Sequence, residues 1–150
     1  MGPVDRMAHF LQLIDAHKLA IISYRDSVSA SEIGSVFDAL LDLARAHPGL
    51  AAIADFRGCQ LTFSTEELRA LASQSQDAAL AAGPAKWAIL AADDLTFGLG
   101  RMYSAFASNQ PVETRTFRDV ASLAEWFGLE AAEVEEWLTA AAGKAVDDQR

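Results

Sequence analysis

The stretch Leu50-Ala-Ala-Ile-Ala-Asp-Phe-Arg-Gly-Cys-Gln-Leu-Thr-Phe-Ser-Thr-Glu-Glu-Leu68 passes from a continuously apolar run, through a polar segment, to a helix start. A short apolar run bounded by turn residues is the pattern of a strand covered on both faces. Ser64 and Glu67 have the spacing of a capping box, in which the serine oxygen accepts from the third helical N–H and the glutamate reaches back to the cap. The expectation is a buried strand over residues 50–54, a loop from Asp55, and a helix after Ser64. In open α/β sheets, ligands and partners gather outside the carboxyl ends of the strands, so residues 55–67 are where a site is expected.

Working outward, residues 8–15 and 19–25 are apolar, partly β-branched runs separated by Ala16-His17-Lys18, which suits an antiparallel hairpin. Ser29 and Glu32 repeat the capping-box spacing, and Ile33, Val36, Phe37, Leu40, Leu41 and Ala44 follow at helical intervals until His47-Pro48-Gly49. Leu68, Leu71, Ala72, Ser75 and Ala79 predict one helix running to Gly83-Pro84. Trp87 to Ala92 is a second buried-strand run, and Asp93 or Asp94 can cap a helix with Leu95, Leu99, Met102, Tyr103 and Phe106 inside. Residues 112–117 alternate as a half-exposed edge strand, Asp119 caps a short helix, and a last amphipathic helix is expected over residues 130–142. The order is ββαβαβαβα plus one C-terminal helix, an α/β fold with a five-stranded, mixed but mostly parallel sheet.

The chain has 150 residues, enough to bury roughly 70% of the surface of its unfolded state around one core. Residues 1–128 read as the domain, and residues 129–150 as an acidic helix and tail belonging to it. With 21 acidic against 12 basic residues and no Lys/Arg stripe, the net charge of -9 repels a phosphate backbone and speaks against nucleic acid as a partner. The single Cys59 excludes an internal disulfide and a multi-cysteine metal site, which suits a reducing, cytoplasmic setting. Apolar runs reach only about six residues where a membrane span needs about 20, and no signal peptide is read at the N-terminus.

Few residues suggest chemistry. Asp55, Asp93 and Asp94 at neighbouring strand ends invite comparison with a Mg²⁺ site, but a receiver needs its acidic pair after the first parallel strand and a lysine after the last. Helix capping accounts for the second pair. Gly98-Leu99-Gly100 begins like a dinucleotide fingerprint, yet Tyr103 stands where the third glycine belongs, so these glycines are expected to allow close helix packing. His9, His17 and His47 lack metal-site spacing and are expected in solvent, and Cys59 is expected to be an inert, half-buried thiol. No catalytic motif, cofactor or metal site is expected.

Asp55-Phe56-Arg57-Gly58, Asp94 with Phe97-Gly98-Leu99-Gly100-Arg101-Met102-Tyr103, and Phe117-Arg118-Asp119 resemble the strand and helix ends of a divergent bacterial group of SpoIIAA-like proteins. Over about residues 8–128 the chain resembles the STAS domain, the fold of anti-anti-sigma factors. The resemblance implies a non-catalytic regulatory domain that binds a protein partner, of the kinase or anti-sigma class, through the loop and helix start after the third strand. In anti-anti-sigma factors that loop reads Asp-Ser-Ser-Gly-Leu and its first serine is phosphorylated; here Ser64-Thr65-Glu66-Glu67-Leu68 stands in its place. The resemblance puts Thr65 at the phosphoacceptor position, while the aspartate and glycine are missing.

The candidate partner-binding residues are therefore Asp55, Arg57, Ser64, Thr65, Glu66, Asp94 and Phe97. The alternative is a small-molecule or lipid-binding module whose apolar pocket lies beside the 95–106 helix, lined by Phe97, Leu99, Met102, Tyr103 and Phe106. A homodimer through an edge strand or the last helix, with Trp126 and Trp137 as anchors, is a further expectation.

Overall fold

Strands β1 (His9–Ile14), β2 (Leu19–Ser27), β3 (Ala51–Gln60), β4 (Ala85–Leu90) and β5 (Val112–Phe117) form one sheet in that order, with β1 antiparallel to β2 and the other pairs parallel. The structure is a computed structural model and describes residues 9–147. Residues 1–8, which include Ala8 of the expected first strand and the start on which the reading of no signal peptide rests, lie outside the described residues. So do residues 148–150 of the polar tail. Helices α1 (Ala30–Ala46), α2 (Thr65–Gln74), α3 (Gln76–Ala82) and α4 (Asp94–Phe106) cover one face; α5 (Val120–Phe127) and α6 (Ala131–Asp147) cover the other. Among the described residues no helix is long and apolar enough to cross a membrane.

The period-two alternation of the strands divides the core. Leu19, Ile21, Ile53, Ala88, Leu90 and Phe117 point to α5 and α6, where they meet Leu123, Val134 and Leu138. Ala20, Ile22, Ala52 and Trp87 point to α1–α4. The C-terminal helix is thus one of the layers, lying on β2 and β1 and running beyond the expected residue 142 because Ala145 continues its buried stripe after Ala141.

Three sequence expectations need correction. First, β3 does not end at Asp55. It runs to Gln60 because β2 also continues, and past a bulge at Ser23–Arg25 the two extend as a ribbon pairing Arg25 with Gly58, Asp26 with Cys59 and Ser27 with Gln60. Second, the helix expected from Ser64 to Gly83 breaks at Ser75, a fully buried residue whose hydroxyl donates to the Ala72 carbonyl (2.9 Å) and accepts from the Tyr103 hydroxyl (2.7 Å). Gln110 Nε2 donates to the same carbonyl (2.8 Å), so this network pins the break to α4 and its following loop. Third, Ser29 caps α1, but Glu32 does not complete the box: its carboxylate meets His9 Nδ1 at 2.6 Å, which ties the first strand to the first helix. His9 is therefore largely covered, with a side chain 10% exposed, and not in solvent as expected.

The two α4 glycines also differ. A Cβ at Gly100 would stand 2.9 Å from the Thr116 side chain and 3.2 Å from Ile89 Cγ2, so the helix rests directly on β4 and β5 there. A Cβ at Gly98 would meet nothing within 4 Å. We expect Gly100→Ala to destabilise the protein by about 1–3 kcal/mol through overpacking. Gly98→Ala should stabilise it by about 0.5–1 kcal/mol through helix propensity alone. Urea denaturation of the two variants distinguishes them by sign.

Candidate functional site

The carboxyl ends of β3, β4 and β5 meet the starts of α2, α4 and α5, and each start is closed by its own side chain. Ser64 Oγ accepts from Glu67 N–H (3.1 Å), and Glu67 Oε1 accepts from Ser64 N–H (2.9 Å), so the expected capping box is complete. Asp93, not Asp94, caps α4: its two oxygens accept from the Thr96 N–H (2.8 Å) and hydroxyl (3.2 Å). Asp119 accepts from Ser122 N–H (2.7 Å) at α5. These donated N–H groups hold the Asp93 and Asp119 carboxyls below their ordinary range.

The sequence-selected residues fall into three groups. Asp55 lies on the Ile53 side of the sheet and is 4% exposed. Arg57 grips it with Nε on Oδ1 (3.0 Å) and Nη2 on Oδ2 (3.1 Å), while the Arg57 N–H also donates to Oδ1 (3.1 Å). The same guanidinium reaches Glu135 on α6, 3.2 Å from Nη2, so the pair clasps β3 to the C-terminal helix. Hydrogen bonding to Asp55 pushes the Arg57 pKa up, against the opposing effect of its partial burial. Sequence reasoning missed Glu135; at a separation of 78 residues no local pattern marks it.

Asp94 and Phe97 form the second group, both engaged by Arg118 beyond β5. Arg118 Nη1 lies 2.6 Å from Asp94 Oδ1, and its guanidinium carbon sits 4.3 Å from the Phe97 ring centroid. The three carboxylates weighed as a metal site thus have separate partners: Arg57, the cap of α4, and Arg118. Among the described residues, no group of three or more His, Cys, Asp or Glu stands together to hold a metal.

The third group, Thr65 and Glu66, faces solvent at the first turn of α2. The Thr65 hydroxyl points to Met102 Sδ on α4 (3.8 Å), and one turn on, Arg69 stacks over Phe106 at 4.4 Å. Beside them Leu95 is 60% and Met102 37% exposed: both were expected on the inner face of α4, but the helix is turned so that Thr96, Leu99, Gly100 and Tyr103 face the core instead. The spacing of seven residues puts Leu95 and Met102 both on the α2 side of the helix. Cys59 is buried, and burial pushes its thiol up to about 11, so it stays protonated near neutrality.

Behind this surface lies an apolar cavity of about 90 Å³ between the sheet and α1, α2 and α4. Ala52 and Ala54 form its floor, with Leu40, Leu68 and Leu99 among its walls. Of the five residues expected to line a pocket, Leu99 and Tyr103 do; Phe97, Met102 and Phe106 lie outside it.

In a comparison with solved structures, the chain aligns with an uncharacterized protein of the DUF3478 family from Shewanella loihica PV-4, described as having a SpoIIAA-like fold. The TM-score is 0.52 at 15% identity, over 85% of this chain and 98% of that one. The fold is SpoIIAA-like. A chain from the complex of diguanylate cyclase SiaD with its activator SiaC from Pseudomonas aeruginosa also aligns, at TM-score 0.43 and 13% identity, over 77% of this chain and 97% of that one. No family model matches the chain, and no curated protein matches it. Within this fold, Asp55 and Arg57 of the present chain hold α6 to the sheet.

Two outcomes test this geometry. Arg57→Ala leaves Asp55 buried without its partner and should cost about 2–4 kcal/mol in urea denaturation, whereas Glu135→Gln, whose side chain is 46% exposed, should cost under about 1 kcal/mol. Because the folded Asp93 carboxyl titrates below its unfolded value near about 4, its stabilisation is present above that pH and is lost as pH falls through the folded value. Asp93→Asn keeps a cap acceptor but no titration, so its denaturation midpoint should fall less than that of wild type between about pH 5 and pH 2.

Proposed function

We propose that this chain is a non-catalytic regulatory domain of the anti-anti-sigma (STAS) type, which captures a protein partner with the face made by the start of α2 and the adjoining side of α4. One observation carries the reading: Thr65 and Glu66 face solvent at the capped start of α2, the Thr65 hydroxyl against Met102 Sδ, beside the exposed Leu95. Exposed apolar side chains set against a polar rim are the composition of a docking surface. In this reading Ser64 shapes the helix start, Thr65 and Glu66 meet the partner, and Asp94 and Phe97 form the margin held by Arg118. Asp55 and Arg57 keep β3 and α6 in place beneath it. The partner class is a kinase or an anti-sigma-type regulator. Thr65 is the candidate phosphoacceptor, since its hydroxyl takes no part in the cap and a phosphate there would face a helix N-terminus.

The cavity favours a second reading, a small-molecule or lipid-binding module. At about 90 Å³ it is smaller than the roughly 150 Å³ engineered cavity that admits benzene, so an acyl chain would have to part α2 from α4.

Capture from a native lysate by wild type, Thr65→Ala and a Leu95→Asp, Met102→Asp double variant tests the first reading, with captured proteins and phosphorylation read by mass spectrometry. The double variant should capture a specific partner about tenfold less than wild type at an unchanged melting temperature, and Thr65→Ala should abolish any phosphorylation at the helix start. Equal capture by all three would overturn the reading. A small molecule that co-purifies with wild type and raises its melting temperature would favour the second.

A further inference from the structure

β5 is the edge of the sheet beyond β4, and no strand pairs with its outer side among the described residues. The Phe117 carbonyl accepts from the Ala91 N–H at 2.9 Å, so residue 117 aims its backbone at the β4 side. By the period of two, Arg115 and Glu113 do the same, and the N–H and C=O groups of Val112, Thr114 and Thr116 face outward. An open groove of about 240 Å³ lines this margin between the end of α4, at Ser104 and Ala107, and Val112 and Thr114. On the opposite face the exposed Glu113 and Arg115 side chains stand two residues apart, their closest charged atoms 3.4 Å from each other.

We propose that β5 pairs antiparallel with β5 of a second copy of this chain, with the two-fold axis at Thr114. The register follows from charge. With the axis at Thr114, Thr114 opposes Thr114 of the second copy, and Thr116 opposes Val112, which is itself 2% exposed, so the half-exposed Thr114 is the centre of the new ladder. In the same register Glu113 stands opposite Arg115 of the second copy, twice by symmetry. These are non-hydrogen-bonded pairs, where side chains approach most closely. Shifting the axis to residue 113 sets Glu113 against Glu113, and shifting it to residue 115 sets Arg115 against Arg115; both place like charges in direct opposition and shorten the overlap.

Neighbouring charges agree with the pairing. Lys86 lies beside Glu113 in the β4–β5 register, so the row across the interface runs Lys86, Glu113, then Arg115 of the second copy, alternating in sign. Arg115 is also held in place by the Trp126 ring, 5.2 Å from its guanidinium carbon. Pro111, whose missing N–H would interrupt a ladder, sits just before the strand at a position that donates no bond in this register. The product is a continuous ten-stranded sheet made of two five-stranded halves.

Sedimentation equilibrium of the full chain, wild type and charge variants, tests the register. Wild type should dimerise weakly, as the small area of an edge contact implies. Glu113→Arg and Arg115→Glu should each weaken the dimer about tenfold or more by opposing like charges. The Glu113→Arg, Arg115→Glu double variant should regain the wild-type affinity. Mixing the two single variants should yield a heterodimer, since each supplies the charges the other lacks. A wild-type chain that stays monomeric into the high micromolar range overturns the proposal, as does a dimer whose affinity ignores these charges. Circular dichroism melts of each variant separate lost pairing from lost folding, and since both side chains are solvent-exposed the melts should remain unchanged.

Discussion

Burial of β2, β3 and β4 on both faces is the constraint from which the rest of the structure follows. A parallel sheet cannot leave either face to water when its strands read Leu19-Ala20-Ile21-Ile22 and Ala51-Ala52-Ile53, because odd and even residues are apolar alike. The crossovers α1, α2–α3 and α4 supply one cover, and α5 with α6 supplies the other. The C-terminal segment is a structural layer for this reason: without Val134, Leu138 and Ala141, the Leu19, Ile21 and Ile53 side chains would face solvent. The same parity decides the fate of Asp55. Two residues beyond Ile53, it must point to the α6 side, where a carboxylate at 4% exposure is tolerable only with the two-pronged grip of Arg57.

The two covers are packed differently because the side chains beneath them differ in size. Toward α5 and α6 the sheet presents Leu19, Ile21, Ile53 and Leu90, all fully buried. Toward α1–α4 the sheet sets small side chains beside large ones: Ala52 lies next to Trp87, whose indole donates to the Leu50 carbonyl (3.0 Å), Ala54 lies between Ile22 and Ile89, and Tyr24 stacks on Phe56 at 4.4 Å. The small side chains of Ala52 and Ala54 leave room beneath the helices, and the cavity lies there. At Gly100, midway along α4, the helix comes close enough to Thr116 and Ile89 that a Cβ would not fit.

What the sequence conveys is local, and so the elements were largely legible. The capped starts at Ser29, Ser64 and Asp119 coincide with helix starts, and the two buried-strand runs became β3 and β4. The misreadings share one cause, a partner brought near by folding. Asp55-Phe56-Arg57-Gly58-Cys59-Gln60 looks like a loop because its backbone pairs with a strand extension that exists only once β2 is alongside it. Ser75 breaks a helix because Tyr103 and Gln110 arrive from 28 and 35 residues away. Glu32 had the spacing of a capping residue but was claimed by His9, 23 residues earlier. In the candidate site, the residue types were legible, but which of them are free was not: Asp55 and Arg57 are spent on Glu135 and each other, and Asp94 and Phe97 on Arg118.

That division between satisfied and free groups is what separates scaffold from surface. A SpoIIAA-like fold alone does not determine function, because a fold hosts whatever its strand ends and helix starts present. Here the polar groups nearest the core are closed into internal pairs, so a partner approaching them would have to break buried interactions before making new ones. The start of α2 is arranged differently: Glu67 and Ser64 bond reciprocally, and Thr65 and Glu66 face solvent in its first turn, with only the Met102 thioether beside the Thr65 hydroxyl. A completed capping box thus does two things at once, holding the backbone rigid and leaving the adjacent side chains available, and rigid presentation lowers the entropy a partner must overcome on docking. Leu95 and Met102 extend the same argument to α4, where the buried stripe of Thr96, Leu99 and Tyr103 is complete without them. Their exposure contributes nothing to this domain's own core, so the apolar composition of the α2–α4 face is not explained by the fold.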